Sequence, residues 1–224
     1  MHDLAMLQLH SGGQLLTIDF GAPTLPDEYF QMFRLRHDRY LEKGYIAARD
    51  DGLDYDIYDQ RKQCHYVIAS IDRRVVGTVR LIVGNTLPTE DYFSFHEPDQ
   101  MRELPRSCRG EVSRLVVERE AKLAQHLITI GLVYTLYLIA EEGQILGGYL
   151  YVKNYLRRIL ASLGIPLHDV GSYTLKHAPD YMAGYFAETQ EPTAPLYFLT
   201  KEVGQAAILL INQEANGRSW RKVS

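Results

Sequence analysis

The hydrophobic pattern of the chain changes period several times, and each change marks an element. Residues 14–20, QLLTIDF, read as a first strand, and residues 25–43, LPDEYFQMFRLRHDRYLEK, as a helix. Pro26 opens that helix, Asp27 and Glu28 sit in its first turn, where the dipole favours anions, and Gly44 follows its last. Residues 65–84, HYVIASIDRRVVGTVRLIVG, are two β-branched runs joined around residues 72–74, the pattern of a hairpin. A polar stretch with Pro88, Pro98 and Pro105 fills residues 85–110 and is expected to be a functional cover or a mobile loop. Next come a strand, GEVSRLVVERE, and an uncharged apolar run, LITIGLVYTLYLIA at 127–140, read as a helix buried on most sides. QILGGYLYV continues as a strand, and KNYLRRILASLG as a short helix with Tyr155, Leu156, Ile159, Leu160 and Leu163 on one face. IPLHDVGSY and APLYFLT complete the sheet.

Strand, helix, hairpin, strand, helix, strand, helix, strand is an α/β order with a mostly antiparallel first half and a crossover in the second. It suits an N-acetyltransferase (GNAT)-like mixed sheet flanked by helices, with residues 1–224 as a single domain.

Composition narrows the function classes. With 224 residues, 46% of them hydrophobic, one domain can bury a sizeable core. A net charge of -4 argues against a protein that coats nucleic acid. Cys64 and Cys108 are the only cysteines, without metal-ligand spacing or a disulfide framework, so a reducing cytoplasm is expected. The start, MHDLAMLQLH, lacks the basic and apolar regions of an export signal, and the apolar run at 127–140 is shorter than the ~20 residues that cross a bilayer.

The strand GEVSRLVVERE raises the chemical question, because Glu111, Ser113 and Arg114 interrupt a buried pattern. Buried charge is costly unless it is paired or used. Pairing predicts Arg36 with Asp56 or Asp59, and Arg80 with Glu111. Use predicts a cleft that all three side chains face. EVSRL lacks the glycines of a GxSxG elbow, which excludes a serine nucleophile of that type, and His65, His126, His168 and His177 lack metal-ligand spacing.

In succession, LRHDRYLEKGYI, DYDIYD, GTVRLI and GEVSRLVV resemble the motifs of the autoinducer synthase family and of its relatives, the N-acyl amino acid synthases of FeeM type. The resemblance implies an acetyltransferase-like fold that takes a fatty acyl group from acyl carrier protein and places it on an amine. It puts Arg36, Tyr40, Tyr45, Asp56, Asp59, Arg80, Glu111 and Arg114 on shared polar and aromatic positions. Homoserine lactone synthases usually show Phe and Trp where this chain has Tyr40 and Tyr45, which favours the amino acid branch. Synthesis of a homoserine lactone from S-adenosylmethionine is the rival reading, and a non-catalytic module binding an acyl ligand or carrier protein is a third.

Within that resemblance Glu111 is the expected base for the acceptor amine. Ser113 either protonates the departing thiolate or serves as an ordinary hydrogen-bonding residue. Backbone amides at Leu115, Val116 and Val117 are the expected oxyanion donors. Apart from the resemblance, sixteen tyrosines are many for this length, and Tyr45, Tyr55 and Tyr58 are expected to line an acceptor pocket. The donor is the phosphopantetheine thioester of acyl carrier protein, with no permanently bound cofactor, because the turn VEREAKLAQH lacks the glycines that cradle coenzyme A pyrophosphate. A basic surface is expected to dock the acidic carrier: Arg119 and Lys122, Arg157 and Arg158 with Lys153, and Arg102, Arg106 and Arg109.

Overall fold

The computed structural model describes residues 1–11, 14–60, 63–119, 125–187, 191–214 and 218–223. Its first hairpin joins β1 (His2–Ser11) to β2 (Gln14–Ala22), with Ala5, Leu7, Ile18 and Phe20 turned into the core. Helix α1 (Pro26–Glu42) begins at the expected proline, and Glu28 secures its start by accepting the backbone N–H groups of Thr24 and Leu25 at 2.8 and 3.0 Å. Strands β3 (Cys64–Ile71) and β4 (Arg74–Val83) form the expected hairpin. Its two linking residues, Asp72 and Arg73, both have positive φ (49° and 65°), which matches the right-handed twist of the strands they join.

Of the two alternatives for residues 85–110, a functional cover or a mobile loop, the structure does not show the mobile loop. These residues fold into α2 (Pro88–Tyr92), β5 (Phe93–Phe95) and α3 (Asp99–Arg102), and Leu87, Phe93 and Met101 are buried beneath them. Apolar anchors spaced along a polar stretch are enough to seat it. Strand β6 (Arg109–Val117) follows, then α4 (Gln125–Glu142), buried along Leu127–Leu132 as expected. At Gly131 the ring of Phe20 occupies the space a Cβ would need, with carbons 2.2 Å from that position, so the helix lies directly on the sheet.

The second half runs through β7 (Gly147–Lys153), α5 (Asn154–Ser162), β8 (His168–Asp169), β9 (Tyr173–Leu175), α6 (Ala183–Phe186), β10 (Thr193–Leu199), α7 (Thr200–Glu214) and β11 (Arg218–Lys222). Among the described residues nine strands form one sheet in the order β11-β1-β2-β3-β4-β6-β7-β10-β8, and β5 pairs with β9 in a small second one. Every neighbour in the large sheet is antiparallel except β6 and β7. This is the mixed, acetyltransferase-like α/β sheet that the element order implies. Strands β1 and β11 and helix α7 extend it beyond that expectation.

Candidate active site

Two features of β6 build the site. Against β4, Thr78 pairs with Val116 and Arg80 with Ser113, so Arg114 and Leu115 together stand opposite Val79. That bulge places Arg114 at φ 57°, a conformation that costs a residue with a Cβ about 1 kcal/mol or more and persists where surrounding bonds fix it. Against β7, pairing covers only Arg109 to Glu111. There the strands touch at Gly110 and Gly148, where an added Cβ on Gly148 would lie 1.8 Å from the Gly110 carbonyl oxygen. Pinned at one end and unpaired beyond Glu111, β6 and β7 leave a gap between them.

The bonds that hold the bulge are ionic. Arg36 donates to Asp54 at 2.9 Å and to Asp59 at 3.0 and 3.1 Å. Arg80 reaches Asp56 at 2.8 and 3.0 Å, Asp59 at 2.9 Å and the Ser113 hydroxyl at 2.9 Å. Arg114 closes the ring on Asp54 at 2.8 Å and Asp56 at 3.2 Å. Three guanidinium and three carboxylate groups thus cancel in charge, with side chains no more than 3% exposed. Burial alone would push Asp54 up, but Arg114 and Arg36 overrule it and hold the carboxyl at about 2. Asp59 is likewise held below the carboxylate range, because Arg36 and Arg80 outweigh its burial. The arginines answer in kind: burial disfavours their charge, yet Asp54 and Asp56 raise Arg114 well above its ordinary value.

The expected pair of Arg36 with Asp59 is present. Its companion Asp54, at the head of DYDIYD, escaped the sequence reading, since three aspartates within six residues do not reveal which one turns inward. The expected pair of Arg80 with Glu111 is absent, because Arg80 spends its donors on Asp56, Asp59 and Ser113.

Glu111 also departs from the expectation that the polar trio shares one cleft. Its side chain is fully buried, and one oxygen accepts the backbone N–H of Thr89, on α2, at 2.7 Å. The other oxygen finds no donor among the described residues. Desolvation pushes its pKa up from 4.5 to about 8. Ser113 and Arg114 line a cavity; Glu111 lines neither of the two described below. Two residues along a strand point to the same face, but the packing of α2 covers that face at Glu111 and leaves it open farther on.

The gap between β6 and β7 holds a narrow cavity of about 100 Å³, walled by apolar side chains such as Val79, Leu81, Val112, Leu136, Leu150 and Phe198. A wider cleft of about 440 Å³ continues from it, lined by Leu115–Val117 on one side, Lys153, Tyr155 and Ile159 on another, and Arg39, Lys43 and Tyr45 at the end of α1. Tyr40, Leu115, Leu156 and Tyr185 belong to both, so the two spaces meet there. Arg114 lies 5.1 Å from the centre of the Tyr40 ring, and the rings of Tyr40, Tyr45 and Tyr185 pack on one another at 4.9 to 6.2 Å. Tyr55 packs instead on Phe33 and Arg49, and Tyr58 bonds Asp91 at 3.1 Å, so neither lines these spaces.

The expected docking cations mostly pair with carboxylates. Arg119 pairs with Glu42 at 3.0 Å, Arg157 with Asp169 at 2.7 Å and Arg158 with Glu191 at 3.0 Å, all on the surface. Arg102 pairs with Asp99 at 2.7 Å and Arg106 with Glu90. Arg109 is buried against the Leu104 carbonyl and Glu97, and Lys153 is buried in the cleft, so neither presents a surface. Lys122 lies outside the described residues. Among those residues no group of His, Cys, Asp and Glu is arranged to hold a metal ion, Cys64 and Cys108 are unbridged, and no helix is long and apolar enough to cross a membrane.

Comparison with known proteins agrees with this architecture. The family model described as N-acyl amino acid synthase FeeM matches residues 31–151, a span that holds the whole ionic ring, the bulge and the start of the gap. No curated protein sequence matches the chain. Among solved structures, the AHL synthase LasI superposes with a TM-score of 0.61 at 16% identity, over 86% of this chain and 93% of that one. BjaI, a CoA-dependent acyl-homoserine lactone synthase, gives 0.59 at 19%, over 84% and 82%. FeeM, an N-acyl amino acid synthase from uncultured soil microbes, gives 0.54 at 17%, over 85% and 98%. At these identities the likeness is one of fold.

Proposed function

The chain belongs to the family of the N-acyl amino acid synthase FeeM and is an acyltransferase; from that premise we propose that its donor is a long-chain fatty acyl thioester on acyl carrier protein and its acceptor the α-amino group of an amino acid. The observation that carries this reading is the junction of a narrow, apolar cavity with a wider, cation-lined cleft at Tyr40, Leu115, Leu156 and Tyr185. The acyl chain lies in the apolar cavity between β6 and β7, where burying each CH₂ is worth about 0.8 kcal/mol. The phosphopantetheine arm runs along the cleft, and the thioester sits at the junction.

At that point the acceptor nitrogen attacks the carbonyl carbon, a C–N bond forms, and the C–S bond breaks to release the sulfur of the arm as a thiolate, which takes up a proton from water to give the thiol. The backbone of Leu115 to Val117, past the last rung of β6–β7 pairing, supplies amide donors to the oxyanion. Arg114 and Ser113, fixed by the ionic ring, hold the bulge that sets the position of those amides. The amine proton leaves to water in the open cleft, since no carboxylate among the described residues lines either space. A carrier-bound arm fits better than coenzyme A because the turn after β6 lacks glycine. No resident cofactor is required, and the reaction belongs in the cytoplasm with its carrier.

Purified protein is incubated with lauroyl-acyl carrier protein or lauroyl-coenzyme A and with single amino acids or S-adenosylmethionine, and products are identified by mass spectrometry. N-Lauroyl amino acid formed from the carrier-bound donor is the expected product. Acylated homoserine lactone as the sole product would replace this reading with lactone synthesis, and absence of turnover with every pair would replace it with a binding role.

A further inference from the structure

Lys153 ends β7 inside the cleft and is 6% exposed, although a lysine is rarely so buried without an anion beside it. Its ammonium donates to two backbone carbonyls, Glu191 at 2.8 Å and Ala187 at 3.3 Å, and lies over the rings of Tyr185 and Tyr45 at 5.4 and 5.9 Å. An ammonium has three donors, and these carbonyls use two. The nearby Glu191 carboxylate is committed elsewhere: one oxygen accepts from Arg158 at 3.0 Å, the other from the backbone N–H of Tyr155 at 3.2 Å. Among the described residues no carboxylate forms a salt bridge with Lys153. The cations at the rim differ, for Arg39 pairs with Glu42 and Lys43 is exposed. Desolvation lowers the Lys153 ammonium from its ordinary value and outweighs the opposing charge of Glu191, a remaining cost that a bound anion offsets.

We propose that Lys153 is the anchor for the α-carboxylate of the acceptor. The proposal rests on the amino acid reading above and names the feature of the acceptor that the site selects. Tyr45 and Tyr185, packed at 4.9 Å, carry the ammonium on their faces and form the adjoining wall, beside the junction where the thioester sits. An amino acid held by its carboxylate on Lys153 then presents its α-amine toward that junction. A plain amine lacks the group that Lys153 grips.

The test compares acids with their decarboxylated forms: L-tyrosine with tyramine, and L-leucine with 3-methylbutylamine, each with lauroyl-acyl carrier protein. Wild-type protein is expected to favour the acid in kcat/KM by ~30-fold or more, and Lys153→Met to shrink that ratio at least ~10-fold, chiefly through the KM of the acid, with Lys153→Arg keeping more of it. Differences in amine basicity cancel when the same ratio is compared between variants. Wild-type protein that acylates acid and amine alike overturns the anchor without need of a variant. So does a ratio that survives Lys153→Met, or a variant whose loss falls on the KM of the acyl donor, which would assign Lys153 to a donor phosphate. Failure of wild-type protein to acylate any acid or amine overturns instead the reading of the acceptor class on which the anchor rests.

Discussion

One carboxylate oxygen of Glu111 receives the backbone N–H of Thr89 at 2.7 Å, and the other finds no donor among the described residues. Desolvation of this fully buried acid outweighs the Thr89 hydrogen bonding and the Arg80 charge, and keeps its proton far above the ordinary range, here to about 8. At neutral pH it is therefore mostly a neutral group that ties β6 to α2.

A pH dependence follows. The folded protein holds the Glu111 proton more tightly than the unfolded chain, so the stabilisation is complete below pH 4.5 and is lost as pH rises through about 8. Glu111→Gln keeps an oxygen for the Thr89 N–H and never ionises. Thermal melts from pH 5 to 9 are expected to show wild-type protein losing on the order of a few kcal/mol that the variant retains. Parallel curves would refute the buried neutral acid. Turnover of the variant is expected within several-fold of wild type, whereas a loss of about 10²-fold would put Glu111 on the proton path after all.

Asp54 behaves in the opposite sense. Its folded pKa, about 2, lies below the ordinary 3.8, so its stabilisation is present above pH 3.8 and fades as pH falls through about 2. Asp54→Asn leaves Arg36 and Arg114 each short of a buried anion and is expected to cost about 3 to 5 kcal/mol at pH 7. Urea denaturation at pH 7 and at pH 3 is expected to show that gap narrowing in acid. A cost below about 1 kcal/mol would mean that the ring is not an energetic unit.

Much of this fold could be read from local chemistry, and the exceptions share a cause. Helix α1 announces itself with Pro26 and its acidic first turn, and the β3–β4 hairpin with two β-branched arms. Strand β11, RSWRK, carries one apolar residue among charges and exists because β1 pairs with it and Trp220 stacks on Phe20 at 5.7 Å. In β1, apolar residues at 4 to 7 blur the alternation that buries Ala5, Leu7 and Leu9. The site divides in the same way. That Arg36, Arg80 and Arg114 need anions is plain from their burial pattern. Which aspartates answer them, and that a bulge at Arg114 parts the strands while α2 covers Glu111, depends on contacts between segments distant in sequence.

The pinned end of the gap should be intolerant of any side chain. In Gly148→Ala the new Cβ meets the Gly110 carbonyl oxygen at 1.8 Å, backbone against backbone, so β6 and β7 must separate or slip. A loss of ~3 kcal/mol or more is expected in a denaturant titration, a large value for the addition of one methyl group. A variant as stable as wild type would show that these strands approach less closely than described.

The depth of the apolar cavity should set the length of the acyl chain. Val112 lies on β6 and faces that cavity, next to the point where pairing with β7 ends. Val112→Phe fills space that the far carbons of a long chain would otherwise occupy, and it adds an overpacking cost of about 1 to 3 kcal/mol. Because the added ring and the chain compete for one volume, each displaced CH₂ forfeits about 0.8 kcal/mol of burial, and two or three of them shift relative kcat/KM by ~10-fold or more. With carrier-bound donors from hexanoyl to palmitoyl, the preferred length is expected to move to shorter chains in the variant. The shift is read as a ratio between donors, so a general loss of folded protein cancels out. An unchanged length profile would mean that the chain runs elsewhere, and the gap between β6 and β7 would then be only a packing defect of the sheet.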